Sequence, residues 1–167
     1  INTAYQSNIS TEKAEKALLG EIFSFSSQYF DYSDENKEIN WHKNPVINKV
    51  ASSNKPWNNL PDFGVYGDIK CIWEASRFPQ VFFFVDAYSI SKDEKYAYAC
   101  INQIVHWIES NPYPQGVNYK CGQEIAFRLF AWIIACDYFS NFISKDNWLM
   151  IRKAIYVSLC RIDLNID

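Results

Sequence analysis

Four stretches with helical spacing of apolar residues fill the chain from residue 68 onward, and they constrain the fold more than any other feature of the sequence. In one of them Ala97, Cys100, Ile104 and Trp107 recur at intervals of three or four residues, which places them on one face of an α-helix. Turn-forming segments separate the stretches, so each helix folds back on the one before it. The pattern predicts two αα-hairpins in an all-α fold.

Capping residues and a proline define the first predicted hairpin. Its first helix covers residues 68–90, with Asp68 as the N-cap and Pro79 expected to kink or divide it. Ser91 and Glu94 have the spacing of a capping box, which predicts the start of the second helix.

The second predicted hairpin follows a loop of prolines and a glycine. Asn111 and Pro112 end the preceding helix, because a residue before proline avoids the helical conformation. The next helix is predicted from about residue 121 to 139. Ser144 then opens a last helix that continues almost to the C-terminus.

Residues 1–67 lack this order and are predicted to form a loop-rich extension before the helical region of residues 68–167. Ser10 and Thr11 are expected to cap a short helix, EKAEKALLG, that stops near Gly20. The extension is therefore predicted to differ in character from the helical hairpins that follow.

A strand and a long loop complete this extension. Residues 21–27, EIFSFSS, alternate between apolar and polar side chains, which predicts a strand. Residues 31–67 are rich in Asn, Asp, Ser and Pro and contain Trp41 and Trp57. A connection of this length is unusual in a compact domain unless it is functional or disordered. The two tryptophans indicate that it packs on another part of the protein.

Two Glu/Arg motifs repeat along the helical region. Glu74 and Arg77 lie in the first predicted helix, and Glu124 and Arg128 lie in the third, with the glutamates 50 residues apart. One hairpin per repeat of about 50 residues is typical of a helical array, in which each unit buries its face on its neighbours. Because two hairpins cannot close a ring, the chain is expected to be a fragment of a larger helical domain.

These charged residues have a structural and a functional interpretation. Glu124 and Arg128 stand at i and i+4 on one helix face, and Glu74 can likewise reach Lys70 or Arg77. In the structural interpretation, such ion pairs hold adjacent helices together. In the functional one, they line the concave side of a helical ring. A buried ion pair contributes little net stability compared with apolar packing, which counts against the structural interpretation.

Asn118 and Tyr119 lie in the loop just before the third predicted helix. An amide and a phenol beside a helix N-terminus suit an anionic ligand, since free backbone N–H groups lie there too. The structural alternative is an asparagine that forms the turn and a tyrosine that packs in the core.

Charge and hydropathy exclude two classes of partner. The net charge of −3 is spread along the chain without a basic tract, so nucleic-acid binding is not expected. No apolar run reaches the length of a membrane span. Aromatic residues make up 17% of the chain, which suits both a packed core and the binding of sugars through their apolar faces.

The cysteines and histidines do not indicate a metal site. The cysteines lack the C-x-x-C spacing of zinc ligands and are predicted to be buried and free: Cys71, Cys100, Cys121, Cys136 and Cys160. His42 and His106 are isolated and are expected to be structural. No nucleotide or other cofactor motif is visible, so neither a metal nor a cofactor is predicted.

Several motifs, in a consistent order, resemble the N-terminal helical domain of the heparinase II/III family of polysaccharide lyases. They are EINWHKNP (38–45), DIKCIWEASR (68–77), AYSISKDEKYA (87–97) and WIESNPYPQGVNYKCGQEIAFRLFAW (107–132). The resemblance extends from about residue 15 to 140. It implies an incomplete (α/α) toroid, followed in the whole enzyme by the rest of the toroid and a C-terminal β-sandwich domain.

The resemblance also implies the chemistry of the whole enzyme. Such lyases cleave acidic, uronic-acid-containing polysaccharides by β-elimination. Their catalytic residues are expected beyond residue 167, so this chain alone is expected to be inactive. The family implies a periplasmic or secreted protein, although the unpatterned cysteines also fit the cytoplasm.

By resemblance, six residues fall where the toroid lines its cleft and are predicted to contact substrate or to shape the cleft: Asn118, Tyr119, Glu124, Arg128, Arg77 and Trp73. Two other functions stay open on the sequence. One is a non-catalytic carbohydrate-binding domain, and the other is a structural helical-repeat module.

Overall fold

The structure is a computed structural model that describes the backbone of residues 3–164 and the side chains of residues 11–164. Within this range there are six α-helices: α1 (Thr3–Leu18), α2 (Lys70–Ser76), α3 (Gln80–Ser91), α4 (Lys95–Ser110), α5 (Gly122–Tyr138) and α6 (Lys145–Asp163). Three short 3-10 helices cover Trp57–Asn59, Val117–Tyr119 and Ser140–Phe142.

Small antiparallel sheets accompany the helices in the N-terminal part. They pair β1 (Glu21–Ser24) with β2 (Gln28–Asp31), β3 (Lys43–Asn44) with β4 (Lys49–Val50), and β5 (Phe63–Gly64) with β6 (Gly67–Asp68). The strand predicted in EIFSFSS is confirmed by β1. The other strands correct the all-α prediction for this region. The strands β3 to β6 have two residues each, too few to show an alternation, and β2 (QYFD) has two adjacent apolar residues in place of an alternation.

The predicted hairpins are confirmed. Helix α3 packs on α4, and α5 packs on α6. The two hairpins also pack on each other in register, since α3 contacts α5 and α4 contacts α6. Helix α1 lies against α3, so the N-terminal helix packs on the first hairpin.

The predicted break in the first helix is also confirmed. Helix α2 ends at Ser76 and α3 begins at Gln80, after Pro79. Phe78 adopts a left-handed backbone conformation (φ 60°) at the break, and its side chain is fully buried. The ring stacks on Trp41 with centroids 5.0 Å apart. The break therefore directs an aromatic ring into the core.

Two predicted helix starts are wrong. Helix α1 begins at Thr3, so Ser10 and Thr11 lie inside it and do not cap it. No proline or glycine precedes Gly20, so nothing in that stretch stops the helix from extending toward the N-terminus. The capping box of Ser91 and Glu94 is not formed either: Ser91 is the last residue of α3, and Asp93 accepts the bond from the Lys95 N–H at the start of α4.

The N-terminal segment shares a core with the helices. Ile22, Tyr32 and Trp41 are buried in the same apolar cluster as Trp107 and Trp132. The prediction that the long loop packs on another part of the protein is therefore confirmed for Trp41, which packs among residues of the helices. The boundary proposed between residues 67 and 68 stays a prediction. Among residues 3–164, no helix combines the length and apolarity needed to cross a membrane.

Candidate functional site

An ion cluster centred on Arg77 joins three segments of the chain. Arg77 follows the last residue of α2, and Glu124 lies in the first turn of α5. The guanidinium donates from Nε to Glu124 Oε2 (2.5 Å) and from Nη2 to Glu124 Oε1 (2.6 Å), a bidentate pair. Its Nη1 donates to Glu74 Oε1, and Glu74 Oε2 accepts from the backbone N–H of Phe25 (2.7 Å). The hydrogen bonds that Arg77 donates to Glu124 raise the pKa of Arg77.

The predicted pairing of Glu124 with Arg128 is not what the structure contains. Both repeated glutamates instead bind Arg77, and Arg128 has no carboxylate within ion-pair distance among the described residues. The i, i+4 spacing permits a contact within one helix, but a guanidinium from a different helix gives the bidentate geometry. The ion pair still joins helices, as the structural interpretation expected, through a different arginine.

Arg128 is enclosed by aromatic rings. Its side chain is fully buried, with Cζ 4.0 Å from the ring centre of Trp107, 5.7 Å from Tyr119 and 5.9 Å from Trp132. Nη2 donates to the carbonyl oxygen of Asn118 (3.2 Å), while Nε and Nη1 have no partner. Burial lowers the pKa of Arg128 to about 10, which leaves the group charged at neutral pH. Contact with the ring faces compensates part of its lost hydration.

Asn118 and Tyr119 face the interior. The Asn118 amide donates to the carbonyl oxygen of Trp41 and to Asn111 Oδ1, both at 2.9 Å. The Tyr119 hydroxyl donates to the carbonyl oxygen of Asn111 (2.9 Å), and burial raises its pKa. Both side chains are at most 3% exposed, so a ligand outside the protein does not contact them in this conformation. This placement matches the turn-forming and packed alternative.

Trp73 also holds this loop, through a hydrogen bond to Val117. Its indole Nε1 donates to the carbonyl oxygen of Val117 (3.0 Å), and its ring packs in a second apolar cluster with Ile69 and Ile72. The residue is 8% exposed. Trp73 and Asn118 therefore both fix the 3-10 turn that leads into α5.

Of the six predicted site residues, Arg77 has the most exposed side chain, at 32%, compared with about a tenth or less for the others. The structure brings Arg77 and Glu124 into direct contact and places Asn118, Tyr119 and Arg128 in one buried group beneath them. The role of all six residues in a cleft stays a prediction.

Two exposed aromatic residues at the ion cluster were missed by sequence reasoning. Phe127 is 47% exposed, and its ring centre lies 5.8 Å from Arg77 Cζ. Phe25 is 43% exposed and binds Glu74 through its backbone. The spacing of Phe127 from Glu124, one helical turn, was a signal for the first. No sequence signal marked Phe25.

Phe25 and its neighbour have an unusual backbone. Phe25 (φ 54°) and Ser26 (φ 52°) are both left-handed in the turn between β1 and β2. This conformation costs roughly 1–2 kcal/mol for a residue with a side chain, and it is most unusual for a bulky one. The Glu74 carboxylate, bound to the Phe25 N–H, helps to stabilise the turn. The Glu74 carboxylate thus joins the ion cluster to the strained turn.

The two histidines lie away from this cluster. His106 Nδ1 accepts from the indole N–H of Trp41 (3.2 Å), and its Nε2 lies 3.8 Å from a Glu38 carboxylate oxygen, beside a small surface cavity. His42 is buried: its Nε2 contacts the carbonyl oxygen of Ser110 (3.1 Å), and its Nδ1 has no partner. Burial lowers the pKa of His42.

Comparison with known proteins places this geometry in a family. The family model described as the heparinase II/III N-terminus matches residues 2–135. A search of the curated proteins found no match. Among solved structures, the chain is similar to a mutant of the heparan sulfate lyase HepC from Pedobacter heparinus, with a TM-score of 0.60 and 20% sequence identity. The match covers 93% of this chain and 21% of the lyase chain, so this chain spans about a fifth of the lyase's length.

At that identity the structural match establishes similarity of fold. The family model, which covers most of the chain, extends through the ion cluster and most of α5. The chain therefore belongs to the heparinase II/III family, of which it contains the N-terminal domain.

Proposed function

We propose that the chain is the N-terminal portion of a polysaccharide lyase that cleaves uronic-acid-containing polysaccharide by β-elimination, and that it forms part of the substrate cleft. The observation that carries the proposal is the match to the heparinase II/III N-terminus over residues 2–135. The similarity of fold to a heparan sulfate lyase supports it. Export to the periplasm or the cell exterior stays a prediction from the family.

The packing of the hairpins supports an incomplete (α/α) toroid. The second hairpin repeats the placement of the first, since α5 lies beside α3 and α6 lies beside α4. Further helix pairs placed in the same way would form a curved array. The rest of the toroid and the β-sandwich domain belong to the part of a whole lyase that this chain does not span.

The cleft residues then divide into two groups by exposure. Arg77 is the member whose guanidinium reaches solvent, so it is the one proposed to contact substrate. Glu124 fixes Arg77, and Trp73, Asn118, Tyr119 and Arg128 hold the turn and the start of α5 beneath it. The catalytic base and acid are proposed to lie beyond residue 167.

β-Elimination makes specific demands on the catalytic base and acid. The C5 proton of a uronate becomes acidic when its carboxylate is neutralised, and a side chain of suitable pKa then removes it while another group protonates the leaving oxygen. Arg77 already binds two carboxylates, Glu74 and Glu124, whose charges together exceed its single positive charge. Its proposed role is therefore to position the polymer and not to activate the C5 proton.

The experiment is an elimination assay on a polypeptide that continues this chain through the rest of the toroid. We expect ultraviolet absorbance from a C4–C5 unsaturated uronate to appear with at least one member of a panel of uronate polymers. The 167-residue chain alone is expected to give no turnover. Absence of the absorbance with every polymer in the panel would remove the lyase proposal. Binding without cleavage would favour a non-catalytic carbohydrate-binding domain.

A structural helical-repeat module is the second candidate, and one observation favours it. Five of the six predicted site residues are buried, and the remaining one, Arg77, is tied to two carboxylates. The variant Arg77→Lys keeps the charge and removes the bidentate geometry. If it lowers stability and leaves turnover unchanged in the longer polypeptide, the cluster serves only to join the helices. Slower turnover in a stably folded variant supports a role of the ion cluster in the substrate cleft.

A further inference from the structure

We propose that Phe25, Arg77 and Phe127 form a subsite for a neutral pyranose ring, a sugar that carries no carboxylate. The inference rests on the proposed function, in which this face of the chain belongs to a polysaccharide cleft. It adds two residues and a ligand class to that function.

The first observation is that two exposed aromatic residues contact one charged cluster. The Phe127 ring centre is 5.8 Å from Arg77 Cζ. The Phe25 backbone N–H and Arg77 Nη1 bind the two oxygens of the Glu74 carboxylate, so a single carboxyl group separates them. Phe25 and Phe127 are 43% and 47% exposed. Large apolar surface beside fixed polar groups is typical of ligand sites.

The second observation is the conformation that keeps Phe25 in this place. Phe25 and Ser26 are left-handed although neither is glycine, and Glu74 binds the first of them. Strained backbone that the surroundings hold in place is concentrated at functional sites. The Phe25 ring also meets Phe30 edge to face, with centroids 5.8 Å apart, which restricts its movement. The turn thus presents a preorganised ring.

The third observation concerns charge. Arg77 is bound to two carboxylates, so the exposed part of the cluster has no positive charge left over for an anion. Arg128, the other nearby cation, is fully buried. A uronate carboxylate at this surface would be repelled by Glu74 and Glu124. The site therefore disfavours the acidic sugar of the polymer.

The remaining donors suit hydroxyl groups. Arg77 uses three of its five N–H groups on Glu74 and Glu124, which leaves two without a partner among the described residues. A pyranose offers hydroxyl acceptors at its rim and apolar C–H faces to an aromatic ring. In a polymer that contains both sugar types, this subsite takes a sugar adjacent to a uronate and so sets the register of the chain in the cleft.

The test is a binding titration with two probes of equal length. One is the neutral tetramer of β-1,4-linked N-acetylglucosamine, and the other is a tetramer of uronates. Binding to the full chain is followed by two-dimensional NMR, which includes the Arg77 Nε–H resonance. We expect the neutral probe to bind and to shift that resonance. Its affinity is expected to change less than about twofold between low and high salt, because no net charge is neutralised.

Three alanine variants identify the subsite. Phe25→Ala and Phe127→Ala are each expected to weaken binding of the neutral probe about fivefold or more, as the loss of a central aromatic contact does. Phe130→Ala is the matched control, because Phe130 is 61% exposed on the same helix and has no ring contact with Arg77 among the described residues. It is expected to bind like the unmodified chain. Ser26→Gly controls for the fold of the turn, since it relieves strain and keeps Phe25.

The outcomes separate this inference from the proposed function. Tighter, salt-sensitive binding of the uronate tetramer, equal effects of all three alanine variants, or no binding of the neutral probe each overturn the subsite. In all three cases, lyase activity would still be expected of the longer polypeptide. If that polypeptide has no lyase activity, the proposed function fails, and the neutral-probe titration still reports on the surface.

Discussion

The guanidinium of Arg128 replaces most of its hydration with aromatic rings. It lies against Trp107, makes one hydrogen bond to Asn118, and keeps two nitrogens without partners. A buried cation contributes little to stability unless its hydrogen-bonding capacity is filled, whereas its planar side chain fills considerable volume. Packing is therefore the main contribution of Arg128 to stability.

This balance predicts different results for two substitutions of Arg128. Arg128→Ala leaves a cavity among three rings and is expected to lower the free energy of unfolding by about 3–5 kcal/mol. Arg128→Met keeps a long apolar side chain and removes the unpaired N–H groups, so its cost is expected to be below about 1.5 kcal/mol. Urea denaturation followed by tryptophan fluorescence measures both. Equal losses in the two variants would show that the charge itself holds the core.

His42 gives the chain a predicted pH dependence. Burial lowers its pKa in the folded protein, so below about pH 6.5 the unfolded chain binds a proton that the folded chain does not. The contribution of His42 to stability is therefore complete above that pH and falls as the solution is acidified toward the lowered pKa. The slope from one proton is at most about 1.4 kcal/mol per pH unit.

Urea denaturation at pH 7, 6 and 5 checks the His42 prediction. His42→Gln keeps a polar side chain that does not titrate, so its stability is expected to change less across this range than that of the unmodified chain. If both proteins lose the same stability between pH 7 and 5, another group is responsible.

The candidate site illustrates what spacing along a sequence can and cannot predict. The sequence identified Glu124 and Arg128 as charged residues on one helix face and as candidate site residues, and both are buried. It did not identify Arg77 as the partner of Glu124, because that bond joins residues of different helices. The left-handed conformation of Phe25 was equally hidden, since it depends on a carboxylate from α2.

At the scale of elements, the joint between the long N-terminal loop and α5 depends on a glycine. Gly116 has a φ of +78°, and a β-carbon at this position would lie 2.5 Å from His42 Cε1. Gly116→Ala is therefore expected to lower the free energy of unfolding by about 2–4 kcal/mol, from backbone strain and steric overlap together. Thermal unfolding measured by circular dichroism checks this value.

A double variant separates the two causes. In His42→Ala the ring is absent, so Gly116→Ala should then cost only the backbone strain of about 1–2 kcal/mol. An identical cost in both backgrounds would show that the ring is not the obstacle.

Elements with a strong local signal were predicted correctly. Pro79 divides the first predicted helix, α4 ends before Asn111, and the Ser144 side chain caps α6 by accepting from the Asn147 N–H (3.1 Å). The wrong predictions concern Ser91 and the start of α1, where serine and threonine occur inside helices as well as at their ends. The strands other than β1 were missed because they have only two to four residues.

At the scale of the whole molecule, the second hairpin has an open apolar side. Exposed apolar side chains lie on α5 and α6: Phe130, Ile133, Leu149, Tyr156 and Leu159. On the first hairpin, α1 and α5 both pack against α3, and the exposed apolar side chains there are Phe82, Ile90 and Tyr98. In the proposed toroid, the next helix pair covers the face on α5 and α6. The sequence predicted the need for a covering element from the number of hairpins alone.

Exposed apolar surface of this kind predicts self-association of the chain. We expect sedimentation velocity to show reversible association at high protein concentration. The double variant Ile133→Lys/Leu159→Lys is expected to be monomeric, because two charges then have to be desolvated at any contact. Val65→Lys is the matched control, since Val65 is 90% exposed but lies in the loop between β5 and β6.

In a polypeptide that continues through the toroid, the same face is expected to be internal. There the double variant should lower the free energy of unfolding by several kcal/mol, since it buries two unpaired charges, whereas the Val65→Lys control should change it by less than about 0.5 kcal/mol. In the 167-residue chain, by contrast, the double variant should leave stability nearly unchanged, because both side chains are already half exposed. A longer polypeptide that tolerates both lysines would place the next helix pair elsewhere. The hairpins of this chain would then not continue into a toroid from α5 and α6.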